Sequence, residues 1–485
     1  MRLKIILRYV GVALLSLSLL MCAGGFVALH ADGDDSMLPL FFSAFLTFTV
    51  GIFQLAFTRH SSNISNKDGY YIVTFSWIAV CIFGMLPYLC YSAEFSFVDA
   101  MFESVSGFTT TGASILNDIE SLPEGLLFWR AGSAWVGGFG IVTIFSLIVP
   151  RGHDVRSVLS RAEMSGIAQS QASKKGKSFI LGMLGIYVTL TVICTISLKL
   201  TGMRWFDAAT NAMCTCSSCG FCVRNNSIAY YNNPAAEYVL SLFMILAAVS
   251  FVAFLSAFRG KNFAKFFKST VLKCFLGMIA VSTLLTSFDL ARMNGFEDID
   301  GIFRTSLFQI SSIITTTGYA TTDTNYWPAL SMVVICVASL ICGCSGSTSG
   351  GIKIDRVVIL AKDILCNIRI MFNPRKIAVV RIDNNIVPQS TVTETKSYVL
   401  IYFVVLLAGA AINTLAGLDF STGVSASMAC LGNVGPGFGL VGSMGNYSSL
   451  PVLSKYVSML LMIAGRLEII PIVFVISSLK ELKNA

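Results

Sequence analysis

Apolar residues run through this chain in stretches long enough to cross a bilayer, and four of those stretches are broken by a short small or polar segment. The breaks fall at 108–112, 214–220, 314–318 and 431–435. Each closes on a glycine, at separations of 108 (112 to 220), 98 (220 to 318) and 117 (318 to 435) residues. The chain therefore repeats about every 100 residues. Each repeat reads as a long outer helix, a half-crossing pore helix, an extended filter strand and an inner helix. Repeat one covers 68–150, repeat two 175–258, repeat three 265–371 and repeat four 390–482. Two further apolar runs, 9–29 and 38–57, flank Asp32, Asp34 and Asp35 and predict an N-terminal helical hairpin within 1–60. The predicted pore helices 96–108 and 301–314 are too short to span roughly 30 Å of hydrocarbon at about 1.5 Å per residue. Ser96 or Asp99 would cap the first of them, leaving its negative C-terminal end aimed at the bilayer centre, where it favours a cation.

A dehydrated cation needs a ring of backbone carbonyl oxygens in place of its water shell. Four filter segments in one polypeptide can supply such a ring. The candidate filter residues are Thr110, Thr111 and Gly112; Ser218, Cys219 and Gly220; Thr316, Thr317 and Gly318; and Asn433, Val434 and Gly435. The expected fold class is an all-α integral membrane protein with four pseudo-symmetric repeats around one central pore, preceded by the hairpin.

Composition agrees: 55% of residues are hydrophobic, 12% are charged and the mean hydropathy is +0.74. About ten helices of 20–25 residues fit this length, with no soluble domain left over. The first apolar run is too long for a signal-peptide core of about 7–15 residues, so the hairpin is read as uncleaved. Cys22 lacks the small preceding residues that a lipid-attachment site requires. Most of the 14 cysteines sit inside apolar runs, as ordinary small core residues.

Charge sets the sides. Arg151, Arg156, Arg161, Lys174, Lys175 and Lys177 crowd one connection, and 94–124 carries six acids with no Lys or Arg. Two more basic connections fall between repeats, around Arg259 to Lys273 and around Arg356 to Arg381. The positive-inside rule makes the basic connections and the N-terminus cytoplasmic and turns the filter mouths outward.

Two other interruptions carry chemistry. Gly343, Gly346, Gly350 and Gly351, with Ser345, Ser347, Thr348 and Ser349, replace about nine residues of apolar helix, either as a kink between packed helices or as a loop. Arg466 lies among Leu460, Leu461, Met462, Ile463 and Ile469, where an unpaired charge costs roughly 2.5–3.5 kcal/mol. Glu468 is too near in sequence to share its helical face, so an ion-pair partner would come from another repeat. Lys353 either tunes permeation or snorkels to the interface. Cys214, Cys216, Cys219 and Cys222 could supply four thiolates to zinc or an iron–sulfur cluster. Four ligands packed this closely rarely converge on one tetrahedron, and Gly220-Phe221 aligns with Gly318-Tyr319, which favours a filter segment and no transition metal.

The motifs Ser106-Gly-Phe-Thr-Thr-Thr-Gly112, Trp135-Val-Gly-Gly-Phe-Gly140, Ile314-Thr-Thr-Thr-Gly-Tyr319, Gly343-Cys-Ser-Gly-Ser-Thr-Ser-Gly-Gly351, Leu431-Gly-Asn-Val-Gly-Pro-Gly437 and Gly465-Arg-Leu-Glu468 follow one another along the whole chain. Together they resemble the TrkH/KtrB/HKT superfamily of potassium transporters, on its TrkH branch. The resemblance implies a pseudo-fourfold pore, a homodimer in the bacterial cytoplasmic membrane, and potassium selectivity from glycine at all four filter positions. It further implies an intramembrane gate at 343–351, with Arg466 as an electrostatic barrier beside it. A cytoplasmic ring of TrkA-type nucleotide-binding subunits would dock on the basic connections, which could equally do no more than touch anionic membrane lipid. No cofactor other than the transported potassium is expected, and no nucleic-acid partner. The three histidines, His30, His60 and His153, stand apart from acids and nucleophiles, and no GxxxxGK[ST] loop is present, so an enzyme is not expected. Three function classes stay open: a regulated potassium-uptake pore, a proton- or sodium-coupled potassium symporter, and a metal-dependent membrane redox protein.

Overall fold

The computed structural model describes residues 3–58, 65–93, 95–140, 176–260, 263–375, 378–383, 385–475 and 477. The basic connection at 151–175 and the expected boundaries at 60, 150, 175 and 482 lie outside them.

Helices dominate because apolar sequence must satisfy its backbone groups internally in lipid. The hairpin forms as Leu3–His30 and Met37–Ala56. The long helices that precede the filter segments are Asn66–Gly84, which continues as Leu86–Tyr91, then Gly176–Leu200, Thr270–Asn294 and Gln389–Leu415. The short helices at the places where the sequence expects pore helices are Phe97–Phe108, Trp205–Ser217, Ile299–Ile314 and Phe420–Gly432. Ser96 caps the first, as expected, accepting a hydrogen bond from the Asp99 N–H. The third starts two residues earlier than the sequence suggests, because Asp298 provides its cap.

Among the described residues, six helices are long and apolar enough to cross a membrane, seven when the bent pair Pro234–Ala247 and Phe251–Gly260 is taken as one span. Fewer than about ten pass that test because the helices after the four glycine segments are interrupted. They begin at prolines, with Pro123, Pro328 and Pro451 as N-caps and Pro234 at the start of its helix, where the missing N–H costs nothing. Each then breaks after 13 to 16 residues: at Gly140, at an 83° bend after Ala247, at Cys342 and after Arg466. A two-residue β-ribbon, Arg381–Ile382 with Asn385–Ile386, is the only strand pairing among the described residues.

Candidate functional site

All four pore helices end in the same way. The residue two before each glycine is left-handed although it is not glycine: Thr110 (φ 56°), Ser218 (φ 58°), Thr316 (φ 60°) and Asn433 (φ 53°). Its N–H bonds back to the third residue before it. The following N–H bonds to the fifth residue before it: Thr111 to the Ser106 carbonyl at 2.9 Å, Cys219 to Cys214 at 2.9 Å, Thr317 to Ser312 at 2.8 Å and Val434 to Ala429 at 2.9 Å. This is the Schellman ending, which satisfies the last helical carbonyls and turns the chain sharply out of the helix. A non-glycine residue there costs roughly 1–2 kcal/mol, which surrounding contacts must offset. In segments one and three the flanking hydroxyls pair, Thr109 with Thr111 and Thr315 with Thr317, each at 2.8 Å.

The four glycines close a ring. A Cβ on Gly112 would collide with the Gly220 amide, one on Gly220 would lie 2.7 Å from the Thr317 carbonyl, one on Gly318 would strike the Val434 carbonyl, and one on Gly435 would lie 2.5 Å from the Thr111 carbonyl. Segment one thus touches two, two touches three, three touches four and four returns to one. All eight non-glycine candidate filter residues are buried around it. Gly112, Gly318 and Gly435 have φ of 76°, 83° and 93°, but Gly220 is not left-handed. It is required by close approach alone.

Loops at the mouth tie neighbouring segments together. Asn225 reaches Asp118 and the Ile119 N–H, Ala229 donates to the Ala320 carbonyl, Ser443 donates to the Thr322 carbonyl, and Tyr447 donates to the Ser114 carbonyl. The Asn225 amide holds the exposed Asp118 carboxyl below the usual carboxylate range.

The 343–351 stretch is a loop, not a kink. Helix Ala329–Ile341 ends at Cys342 (φ 60°), and helix Ile354–Phe372 resumes after Lys353 (φ 75°), with Gly346 and Gly351 also left-handed. The loop docks on the turns that end the pore helices. The Thr348 hydroxyl pairs with that of Ser218 at 2.7 Å, and the Gly350 N–H donates to the Thr316 hydroxyl at 3.0 Å. A Cβ on Gly350 would strike the Gly432 carbonyl and lie 3.0 Å from the Asn433 Cβ. On its other side the loop fills the break in the second inner helix, where Cys344 donates to Ala248 and Phe251 donates to Gly346. Gly343 leaves room for Ser349 and Ala248, and Gly351 for Cys342.

Arg466 donates to the carbonyl of Thr348 at 2.7 Å, and to those of Gly137 and Gly138 at 2.6 and 2.7 Å. It therefore fastens the loop to the end of the first inner helix. Gly137 and Gly138 permit this, since a Cβ at either would strike the pore-helix ends at Phe108 and Ser217. Lys353 does not reach an interface: it is 8% exposed and pairs with Glu468 at 2.8 Å, beside Arg356 on the same carboxylate at 2.5 Å. Glu468 and Ile469 are left-handed, and a further Schellman turn breaks the fourth inner helix there. A cavity beside the loop is lined by Gly138, Phe139, Gly346, Lys353, Arg466 and Glu468.

The cysteine cluster divides. Cys214 and Cys219 face one another across the second turn, whereas Cys216 meets Cys194 on the preceding helix. No group of three or more His, Cys, Asp or Glu placed to hold a metal occurs among the described residues.

The family model for TrkH, a cation transport protein, matches residues 39–483. The chain is 32% identical over 483 residues to the Trk system potassium uptake protein TrkH of Halomonas elongata, covering 98% of each. It is 30% identical over 453 residues to the Trk system potassium uptake protein TrkG of Escherichia coli, covering 92% of each. The crystal structure of the potassium transporter TrkH from Vibrio parahaemolyticus shares its fold with a TM-score of 0.86 at 27% identity, covering 98% of each chain.

Proposed function

The chain belongs to the TrkH family of cation transport proteins, and on that premise we propose that it takes up potassium across the bacterial cytoplasmic membrane through the ring closed by Gly112, Gly220, Gly318 and Gly435. The observation that carries this reading is the fourfold recurrence of one turn, with each glycine pressed against the backbone of the next segment. Thr110, Thr111, Ser218, Cys219, Thr316, Thr317, Asn433 and Val434 supply the rest of the filter. Backbone oxygens held this tightly replace the hydration shell of a monovalent cation. Potassium is the ion named for the relatives.

The loop at 343–351 is the gate. It is tethered by hydrogen bonds rather than packed as helix, so it can leave as a unit, and Arg466 bonds to its middle. Lys353 anchors the end of the loop. The repeats 68–150, 175–258, 265–371 and 390–482 are the four quarters of the pore. The protein works as a homodimer, and its basic connections face the cytoplasm, where a TrkA-type nucleotide-binding ring controls the gate.

Growth of bacteria stripped of their own potassium uptake tests this. Expression of the chain with such a ring partner restores growth at low potassium, and Gly318→Ser makes that growth sensitive to sodium. Absence of rescue by protein that reaches the membrane contradicts the reading.

A further inference from the structure

Arg130 is nearly fully buried at 1% exposure, and its partners Ser114 and Cys222 lie just past the ring glycines. Its Nε donates to the Glu103 carboxylate at 2.7 Å, one terminal nitrogen to the Cys222 carbonyl at 3.1 Å, and the other to the Ser114 hydroxyl at 3.2 Å. Its guanidinium also stacks 4.0 Å over the Phe221 ring. Glu103, on the first pore helix, accepts in addition from the Ser114 hydroxyl and the Ile115 N–H.

Ser114 stands two residues past Gly112, and Cys222 two residues past Gly220. One guanidinium therefore bridges equivalent positions on adjacent filter segments. The corresponding positions elsewhere are held differently: Ala320 by the Ser227 hydroxyl and the Ala229 N–H, and Gly437 by the Val441 carbonyl of its own repeat. The charged clamp serves the one segment whose glycine is not left-handed, although it follows the same helix-ending turn as Gly112, Gly318 and Gly435.

We propose that Arg130, held by Glu103, is a positioning residue for ion selection, setting the separation between filter segments one and two. Burying this charged pair is costly in a way that burying a hydrophobic pair would not be. What the pair supplies instead is fixed geometry, because a planar fork bonded at three edges restricts both chains at once. A ring of fixed width distinguishes potassium from sodium, and a ring slack at one junction contracts around the smaller ion. The inference rests on the potassium-filter reading above.

The test is rubidium-86 uptake into liposomes holding the purified full chain, competed in parallel by potassium and by sodium. Arg130→Lys keeps the charge but cannot reach Glu103, Ser114 and Cys222 together, and its potassium-over-sodium preference is expected to fall at least tenfold. Phe221→Leu removes the stacking ring without touching a charge, and is expected to lower the preference by a smaller factor. It decides the question if Arg130→Lys does not assemble. A preference within twofold of the parent in the assembled variant overturns the inference. A parent protein without any preference instead overturns the filter reading itself, so the two failures are distinct.

Discussion

Arg466 and Thr348, 118 residues apart in sequence, are joined by a 2.7 Å hydrogen bond from a guanidinium N–H to a backbone carbonyl. The same side chain bonds Gly137 and Gly138. Hydrogen bonds from a charged donor contribute about 1.5–3 kcal/mol each. If the loop must give up its bond to move, Arg466→Gln shifts the closed-to-open balance by roughly ten- to a hundredfold. Rubidium efflux from liposomes without any partner subunit should rise by about that factor. Unchanged efflux would mean that this contact does not hold the loop.

Glu468 pairs with both Lys353 and Arg356 in a largely buried site. Removing one member of a buried ion pair costs about 3–5 kcal/mol, because the remaining charge stays desolvated. Glu468→Gln should therefore unfold at a clearly lower temperature in detergent. Replacing all three residues by Leu or Met should recover most of the loss. Equal unfolding temperatures for Glu468→Gln and the parent refute the pairing argument.

Substitution of the ring glycines separates strain from crowding. Gly417 has φ 100° with nothing within 4 Å of its missing Cβ, so Gly417→Ala carries strain alone and should leave ion preference intact. Gly318→Ala combines strain with collision against Val434 and should abolish preference for potassium. Gly220→Ala meets collision alone, with Thr317 and Gly318, and should be nearly as damaging. A Gly220→Ala protein that still excludes sodium would show that close approach at this junction is not required.

The split of the cysteines, Cys214 with Cys219 and Cys216 with Cys194, opposes convergence on one metal. Elemental analysis of purified protein should find zinc and iron far below one per chain. A stoichiometric metal that is lost in Cys214→Ser would reverse this and favour the redox class.

The four breaks, the hairpin and the loop are legible in the sequence because each is a local contrast between apolar and small residues. The Schellman turns are not, since Thr110, Ser218, Thr316 and Asn433 take a conformation usually given to glycine. The broken inner helices could have been anticipated in part. Pro123, Pro234, Pro328 and Pro451 recur 10 to 16 residues after each filter glycine and mark the helix starts. The 83° bend after Ala247 has no such sign, and the residue that accepts from Phe251 beside it, Gly346, lies about a hundred residues away. Sequence spacing separates Arg466 from Glu468. The partners of Glu468 lie 112 and 115 residues upstream, on an element that only the fold brings near. Arg130 and Glu103 read as unremarkable helix residues for the same reason.

The central claim is that the ring of four glycine segments selects potassium. Its most direct test is rubidium-86 uptake into potassium-loaded liposomes containing the purified chain, measured against increasing external potassium or sodium. The account predicts that external potassium suppresses uptake while sodium at the same concentrations leaves it intact. Suppression by sodium as effective as that by potassium would contradict it.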